Sequence, residues 1–218
     1  LRPVLDGFHS RFGVLRYHDP PPFPVEIFGI EVCETAPWVP PLFGVAGALI
    51  GSLYATLDLV FDTPAALRSP GVDKVVSGIA CFAAQYWLSG ALLGPKGWQG
   101  GAVDRQVPEA SAAMGIGSGG AIADSAGEVA LWLLALVEWR VFDPTAAGLV
   151  TSALTAIGGP LIEMGLLNVP GWDLYAYSDP DVLGIPTWIA AVYFCGGPAV
   201  GNLARWLTAP QSQEAADE

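Results

Sequence analysis

The chain has 218 residues, 52% apolar and only 14% charged, with 21 acids against 9 bases and a formal net charge of −12. So little charge, against roughly 25% in a soluble domain, together with a mean hydropathy of +0.47, marks a polytopic membrane protein. The acidic balance and the absence of any Lys/Arg cluster exclude a nucleic-acid partner.

Residues 1–37 read as an extended Pro-rich arm centred on His18-Asp19-Pro20-Pro21-Pro22-Phe23-Pro24. Adjacent prolines hold the backbone in polyproline geometry and exclude helix, so no span is expected here. The arm is either disordered or laid along another chain, and Pro20, Pro21 and Pro22 are candidate partner-binding residues. The start at Leu1 rather than Met reads as loss of an organellar presequence.

Five apolar segments follow, at about 38–60, 75–95, 121–142, 146–167 and 187–207. Each is long enough to cross the roughly 30 Å hydrocarbon core as a helix. Between the second and third lies a Gly-rich stretch, Lys96 to Gly120, ending in Gly115-Ile116-Gly117-Ser118-Gly119-Gly120. It follows no strand and lacks the Lys-Ser/Thr of a phosphate loop, so it reads as a linker. The expected fold class is all-α: a five-helix membrane bundle over 38–207, flanked by the arm and an acidic tail at 208–218. Five spans put the termini on opposite sides, and the basic residues divide too evenly to fix the orientation.

Small residues four apart, Gly44/Ala48, Gly47/Gly51 and Gly197/Gly201, allow close helix approach. Gly158-Gly159-Pro160 and Gly196-Gly197-Pro198 predict bends in the fourth and fifth spans. Two bent helices with glycine faces either open a pocket or only assist packing. Polar groups within spans carry an insertion cost and ask for a reason. Gln85, Glu128, Glu163 and Asn202 are candidate ligand-binding residues. Asp58 and Asp143 end the first and third spans on one membrane face, as candidate partner contacts or as solvated interfacial acids. Trp38, Trp188 and Trp206 fit an aromatic belt. His9 and His18 both lie in the arm, and Cys33, Cys81 and Cys195 have no metal spacing. No nucleophile–base pair or metal site can be assembled, so the expectation is a non-enzymatic protein without a metal.

Three blocks carry a family resemblance. The first is Trp38-Val39-Pro40-Pro41 with Gly44, Ile50-Gly51, Leu53-Tyr54 and Asp58. The second is Tyr175-x-Tyr177-Ser178-x-Pro180-Asp181 with Trp188, Gly196-Gly197 and Gly201-Asn202-x-x-Arg205. Trp139-x-x-Phe142-Asp143 is the third. Together, over most of 37–207, they resemble the Insig (insulin-induced gene) family of membrane proteins. Animal members have six spans, and the Pro-rich arm stands here where they have the first; the Gly-rich stretch is also longer. The resemblance implies a non-enzymatic protein that holds a sterol or other lipid between helices and binds a second membrane protein. It places Asp143 where members bind that partner, and implies that Asn202 and Arg205 tie the last helix to its neighbours.

Two functions fit these readings. The arm and the acidic tail suit a linker or scaffold subunit joining other membrane proteins in a larger complex. If the organelle is a plastid, that complex is a thylakoid photosystem–antenna assembly. The helices would then hold lipid, carotenoid or a few chlorophylls, with Gln85, Glu128, Glu163 and Asn202 as the in-span magnesium-ligand types. The alternative is an Insig-like adaptor of the endoplasmic reticulum that binds a sterol, isoprenoid or other lipid and regulates one partner membrane protein.

Overall fold

A computed structural model describes residues 2–94 and 121–209. The stretch read as a Gly-rich linker and most of the acidic tail lie outside the described residues.

The segment expected as an extended arm is built differently. It opens with a helix, α1 (Arg2–Arg11), followed by a short strand, β1 (Leu15–Tyr17). A hairpin of β2 (Phe23–Ile27) and β3 (Ile30–Thr35) comes next. The prolines at 20–22 fall in the link between β1 and β2, where no ladder needs their missing amides. Polyproline stiffness is local, so it governs the link and leaves the residues before it free to form a helix. Nor is the segment isolated from the bundle. The segment packs on the second apolar stretch, where Gly90 has no room for a Cβ against the Phe12 ring. β1 pairs antiparallel with a strand far along the chain, β4 (Tyr175–Tyr177).

The five apolar segments are helices: α2 (Val39–Val60), α3 (Val72–Leu93), α4 (Ala121–Phe142), α5 (Ala146–Leu167) and α6 (Ile189–Thr208). Each has 20–22 residues, about 30 Å of helix. Among the described residues α2, α3 and α5 are long and apolar enough to cross a membrane by composition alone. α4 carries more charge, yet Val129, Leu133, Val137 and Val141, spaced by four, are all more than half exposed on one face. α2 and α5 show similar outward faces through Val45, Leu49, Ile157 and Leu161. Such wide apolar exposure suits lipid rather than water. The chain is an integral membrane protein.

α6 is the axis of the bundle. It touches α2, α3, α4 and α5, and its residues from Ala191 through Ala199 are all buried, as are Gly201, Asn202 and Arg205. A helix ringed by protein does not need a lipid-soluble surface, which is why α6 carries two central glycines, a proline, Asn202 and Arg205. Both Gly-Gly-Pro triplets sit inside continuous helices. The glycines act through proximity. A Cβ at Gly197 would strike Ser152 of α5, and one at Gly201 would strike the Tyr54 ring of α2. Gly44 and Gly47, by contrast, face nothing within 4 Å.

The helices alternate in direction, so the bundle has two distinct ends. One is capped by α1 and the β1–β4 ladder. There His9 of α1 is fully buried, with Nε2 2.8 Å from Ser89 Oγ and its ring 4.9 Å from Tyr86 and 5.5 Å from Trp188. Trp188 is thus a core residue under the cap rather than part of an exposed belt. The other end gathers the C-termini of α2, α4 and α6.

Candidate functional site

Beneath the cap a cavity of about 230 Å³ opens between α2 and α5, with Leu15, Tyr175 and Tyr193 closing its inner side. Its walls are almost wholly apolar, including Leu42, Ala46 and Leu49 of α2 and Leu154, Ile162 and Leu166 of α5. One carboxylate lies in this wall. Glu163 is buried and accepts hydrogen bonds from the hydroxyls of Tyr177, at 2.7 Å, and Tyr193. The local sequence builds this arrangement. A Cβ at Gly159 would strike the Tyr193 ring, so glycine there lets the ring lie against α5 with its hydroxyl reaching Glu163, one turn on. Gly158 lines the cavity with open space beside it. Pro160, buried in the same turn, removes the amide that would bond the Ala156 carbonyl.

The cavity runs outward into a larger groove of about 840 Å³, and Trp38, Leu42, Val45 and Leu166 line both. Trp38 stacks on Tyr175 at 5.6 Å and meets Tyr17 edge-on at 6.0 Å, so it forms the partition between cap and groove. Pro20, Trp172, Asp19 and Asp173 line the groove further out.

At the opposite end, Pro144 disfavours helix at Asp143, and α4 stops at Phe142. Thr145 then caps α5, accepting from the Gly148 amide at 2.9 Å and donating to Asp143 Oδ1 at 2.8 Å. Arg205 of α6 enters this turn. Its Nη1 lies 2.9 Å from Asp143 Oδ2, its Nε and Nη2 donate to the two oxygens of Asp58, and its guanidinium sits 4.8 Å over the Tyr54 ring. Asn202, one turn earlier, donates to the Phe142 carbonyl at 2.9 Å. Three helix C-termini are therefore joined by one buried cation.

The sequence-derived site residues divide as follows. Glu163, Gly158 and Gly159 line the cavity, and Pro20 lines the groove. Asn202, Arg205, Asp58 and Asp143 meet at the far end, with both acids buried and facing Arg205. Gln85 donates to the Leu131 carbonyl at 2.8 Å, tying α3 to α4, and Glu128 is half-buried on α4; neither lines the cavity. Gly196 and Pro198 are buried in α6. Among the described residues no group of His, Cys, Asp and Glu is placed to hold a metal.

Sequence reasoning passed over Tyr177 and Tyr193, whose hydroxyls converge only after folding, and Glu138. Glu138 is buried, and its Oε1 has no partner among the described residues. Its signal was readable: Leu131, Ala135 and Glu138 share one face at helical spacing, opposite the exposed valines.

No family model matches the chain. Among curated proteins it is 28% identical to insulin-induced gene 1 protein of Xenopus tropicalis over 196 residues, covering 88% of this chain and 64% of that one. It is 29% identical to the Homo sapiens protein of the same name over 189 residues, covering 85% and 55%. The chain thus spans less than two thirds of the length of these relatives. Among solved structures it superposes on MvINS, an Insig homologue of Mycobacterium vanbaalenii, with a TM-score of 0.63 and 19% identity, covering 96% of this chain and 91% of that one. A cross-linked trimeric form of MvINS superposes equally well, at 0.63 and 18% identity. The chain is an Insig-like polytopic membrane protein, with Insig proteins as its sequence homologues and an Insig fold.

Proposed function

We propose that this protein is a non-enzymatic membrane adaptor, with α2 to α6 all embedded in the bilayer, that holds a sterol, isoprenoid or other amphipathic lipid between α2 and α5 and engages a partner membrane protein. The observation that carries this reading is the apolar cavity with Glu163 as its one carboxylate, oriented by Tyr177 and Tyr193. Apolar walls with one or two fixed polar groups are what a lipid with a single hydrogen-bonding end requires. The Insig relatives support an adaptor acting through other membrane proteins, and with it the endoplasmic reticulum rather than the thylakoid. The linker reading rests on the arm and the acidic tail; α1 and β1 pack on this bundle, and most of the tail lies outside the described residues. Pigment binding gains no support from these relatives.

The test is photolabelling of the purified protein with a photoreactive sterol and a photoreactive isoprenoid, each mapped by peptide mass spectrometry. Labels should concentrate on residues 42–50 and 154–166, fall with Glu163→Gln, and vanish with Gly158→Trp, which fills the cavity. Label spread evenly over the outer helix faces and indifferent to Gly158→Trp would count against the proposal.

A further inference from the structure

Two tight turns at the capped end put an apolar side chain where the backbone favours Asn or Gly. In the β2–β3 hairpin, Ile27 pairs with Ile30 across Phe28-Gly29, with φ of 53° and 76°. Between β4 and α6, Val182 bridges Ile185 across Leu183-Gly184, with φ of 47° and 91°. Positive φ at both central residues makes each a type I′ turn, for which Asn-Gly is the favoured pair. A bulky residue in this left-handed region is strained. At Leu183 the fold supplies a compensation: its carbonyl accepts from Asn168 Nδ2 at 3.1 Å, and Gly184 packs on Leu167. Among the described residues Phe28 has no such support. Its side chain is 100% exposed, and nothing lies within 4 Å of a Cβ at Gly29.

We propose that Phe28 anchors a docking finger, the tip of the β2–β3 hairpin, for a basic polypeptide segment of a partner protein. The inference rests on the adaptor reading above, to which it adds the docking face and the chemistry of what binds there. It does not depend on the lipid cavity.

The base of the finger is held while its tip is bare. Cys33 and Thr35 are buried, and β3 packs along α1. A bulge between the Val25 and Glu26 rungs re-aims the tip relative to the strands below it. The register then sets Glu26 opposite Glu31, and like charges directly opposite destabilise a hairpin. One occupant relieves both the strained aromatic and the like-charge pair: an apolar recess covers the ring, and cations meet the carboxylates. Local rules broken together at one exposed tip mark a site whose compensation comes from elsewhere.

Charge chooses among the occupants. Residues 19–39 hold four acids, Asp19, Glu26, Glu31 and Glu34, and no Lys or Arg. An anionic leaflet repels such a tip, so Phe28 is not a membrane anchor. A second copy brings the same acids, within a chain of net charge −12, and is repelled as well. A segment with Lys or Arg beside an apolar recess meets both features.

The experiment places the photoreactive residue p-benzoylphenylalanine at position 28 of the full chain, in the membranes of the cells that make it. Adducts are sequenced by mass spectrometry. The attached peptide should belong to another protein and carry net positive charge. Its yield should fall about tenfold or more with Glu26→Lys/Glu31→Lys, and should fall in high salt. The captured segment, as a synthetic peptide, is then titrated onto the purified full chain. Phe28→Asn should weaken its binding about tenfold or more, while raising hydrogen-exchange protection over residues 23–35 because Asn suits the turn. A fall in that protection marks Phe28 as structural and overturns the finger. Adducts with lipid, with a second copy or with an acidic peptide overturn it too, as does peptide binding that is absent or unmoved by Phe28→Asn. The same label at Val45, Leu133 and Leu161, on outer helix faces, separates the two readings. Protein adducts there with none at position 28 leave the adaptor and remove the finger. No protein adduct at any of these positions removes both.

Discussion

Arg205 and Asp58, 147 positions apart, form a two-pronged pair: Nε donates to Oδ2 at 2.8 Å and Nη2 to Oδ1 at 2.6 Å. Both side chains are nearly inaccessible, at 4% and 5% exposure, and Asp143 on the other side of the guanidinium is at 1%. This triad fastens the C-termini of α2, α4 and α6, which the hydrophobic effect alone would hold in no fixed register.

Removing the cation leaves two buried carboxylates facing each other. Arg205→Met should therefore cost about 3–5 kcal/mol, the range for breaking a buried pair from one side. Arg205→Lys should rescue little, because an ammonium cannot reproduce the fork that grips Asp58 and Asp143 together. Asp58→Asn should cost less, since Asp143 still neutralises the guanidinium. Chemical unfolding in detergent, followed by tryptophan fluorescence, checks the order; Asp58→Asn proving worse than Arg205→Met would contradict it.

The glycines of α6 should behave unlike those of α2. A methyl at Gly201 enters the Tyr54 ring, and one at Gly197 enters Ser152. Each Gly→Ala change there should destabilise by about 1–3 kcal/mol, the usual cost of overpacking. Gly44→Ala and Gly47→Ala meet open space and should be neutral, or stabilise by up to about 1 kcal/mol through helix propensity. The same four variants compared by thermal unfolding give the answer. The contrast is informative because the sequence offers all four glycines as one small-residue pattern.

That pattern shows what was legible in the sequence. Segment length and apolarity located all five long helices, and Gly201-Asn202-x-x-Arg205 marked the helix that ties the bundle together. What could not be read was direction around each helix. Asp58 and Asp143 looked like interfacial acids open to a partner, because nothing in the order of residues says that both turn inward toward Arg205. Glu163 was visible as a costly group, but its two tyrosine donors come from β4 and α6 and meet it only through the fold. The N-terminal segment was misjudged for a related reason: three prolines dominate its local pattern, whereas its structure is decided by a strand partner about 160 residues away.

Glu138 should be a site of easy gain. It is buried at 5% exposure with Oε1 unpartnered among the described residues. Its contact is a hydrogen bond with the Cys195 thiol, a weak donor, so replacing this half-satisfied buried acid with a neutral group relieves a cost of about 1–3 kcal/mol. Glu138→Gln, or Glu138→Leu if the amide also finds no partner, should raise the unfolding midpoint in detergent. A fall in both variants would mean that the carboxylate makes a contact essential to the fold.

The cap should loosen with acid through His9. Ser89 Oγ donates to the Tyr86 carbonyl at 2.8 Å, so it receives the Nε2–H of His9 rather than offering its own proton. Nδ1 is then the bare nitrogen, and it has no partner among the described residues. Protonating it would bury an uncompensated charge, and burial holds the imidazole pKa down at about 3. In the unfolded chain the same group titrates near its ordinary 6.5. The unfolded state therefore binds the extra proton first as pH falls, and stability is lost between about 6.5 and 3, having been fully present above that window. For a group this deep the loss is bounded on the order of 5 kcal/mol. The site lies where α1 meets α3 and α6, so the loss should show as early release of α1. Protection factors across residues 2–11 and 86–93, that is, hydrogen exchange corrected for its intrinsic pH dependence, should fall as pH is lowered from 7 to 5 in the unmodified protein. His9→Gln has no titrating ring and should flatten that dependence, even if it lowers protection at every pH. An identical pH slope in the two proteins would show that another group, not His9, sets the acid response of the cap.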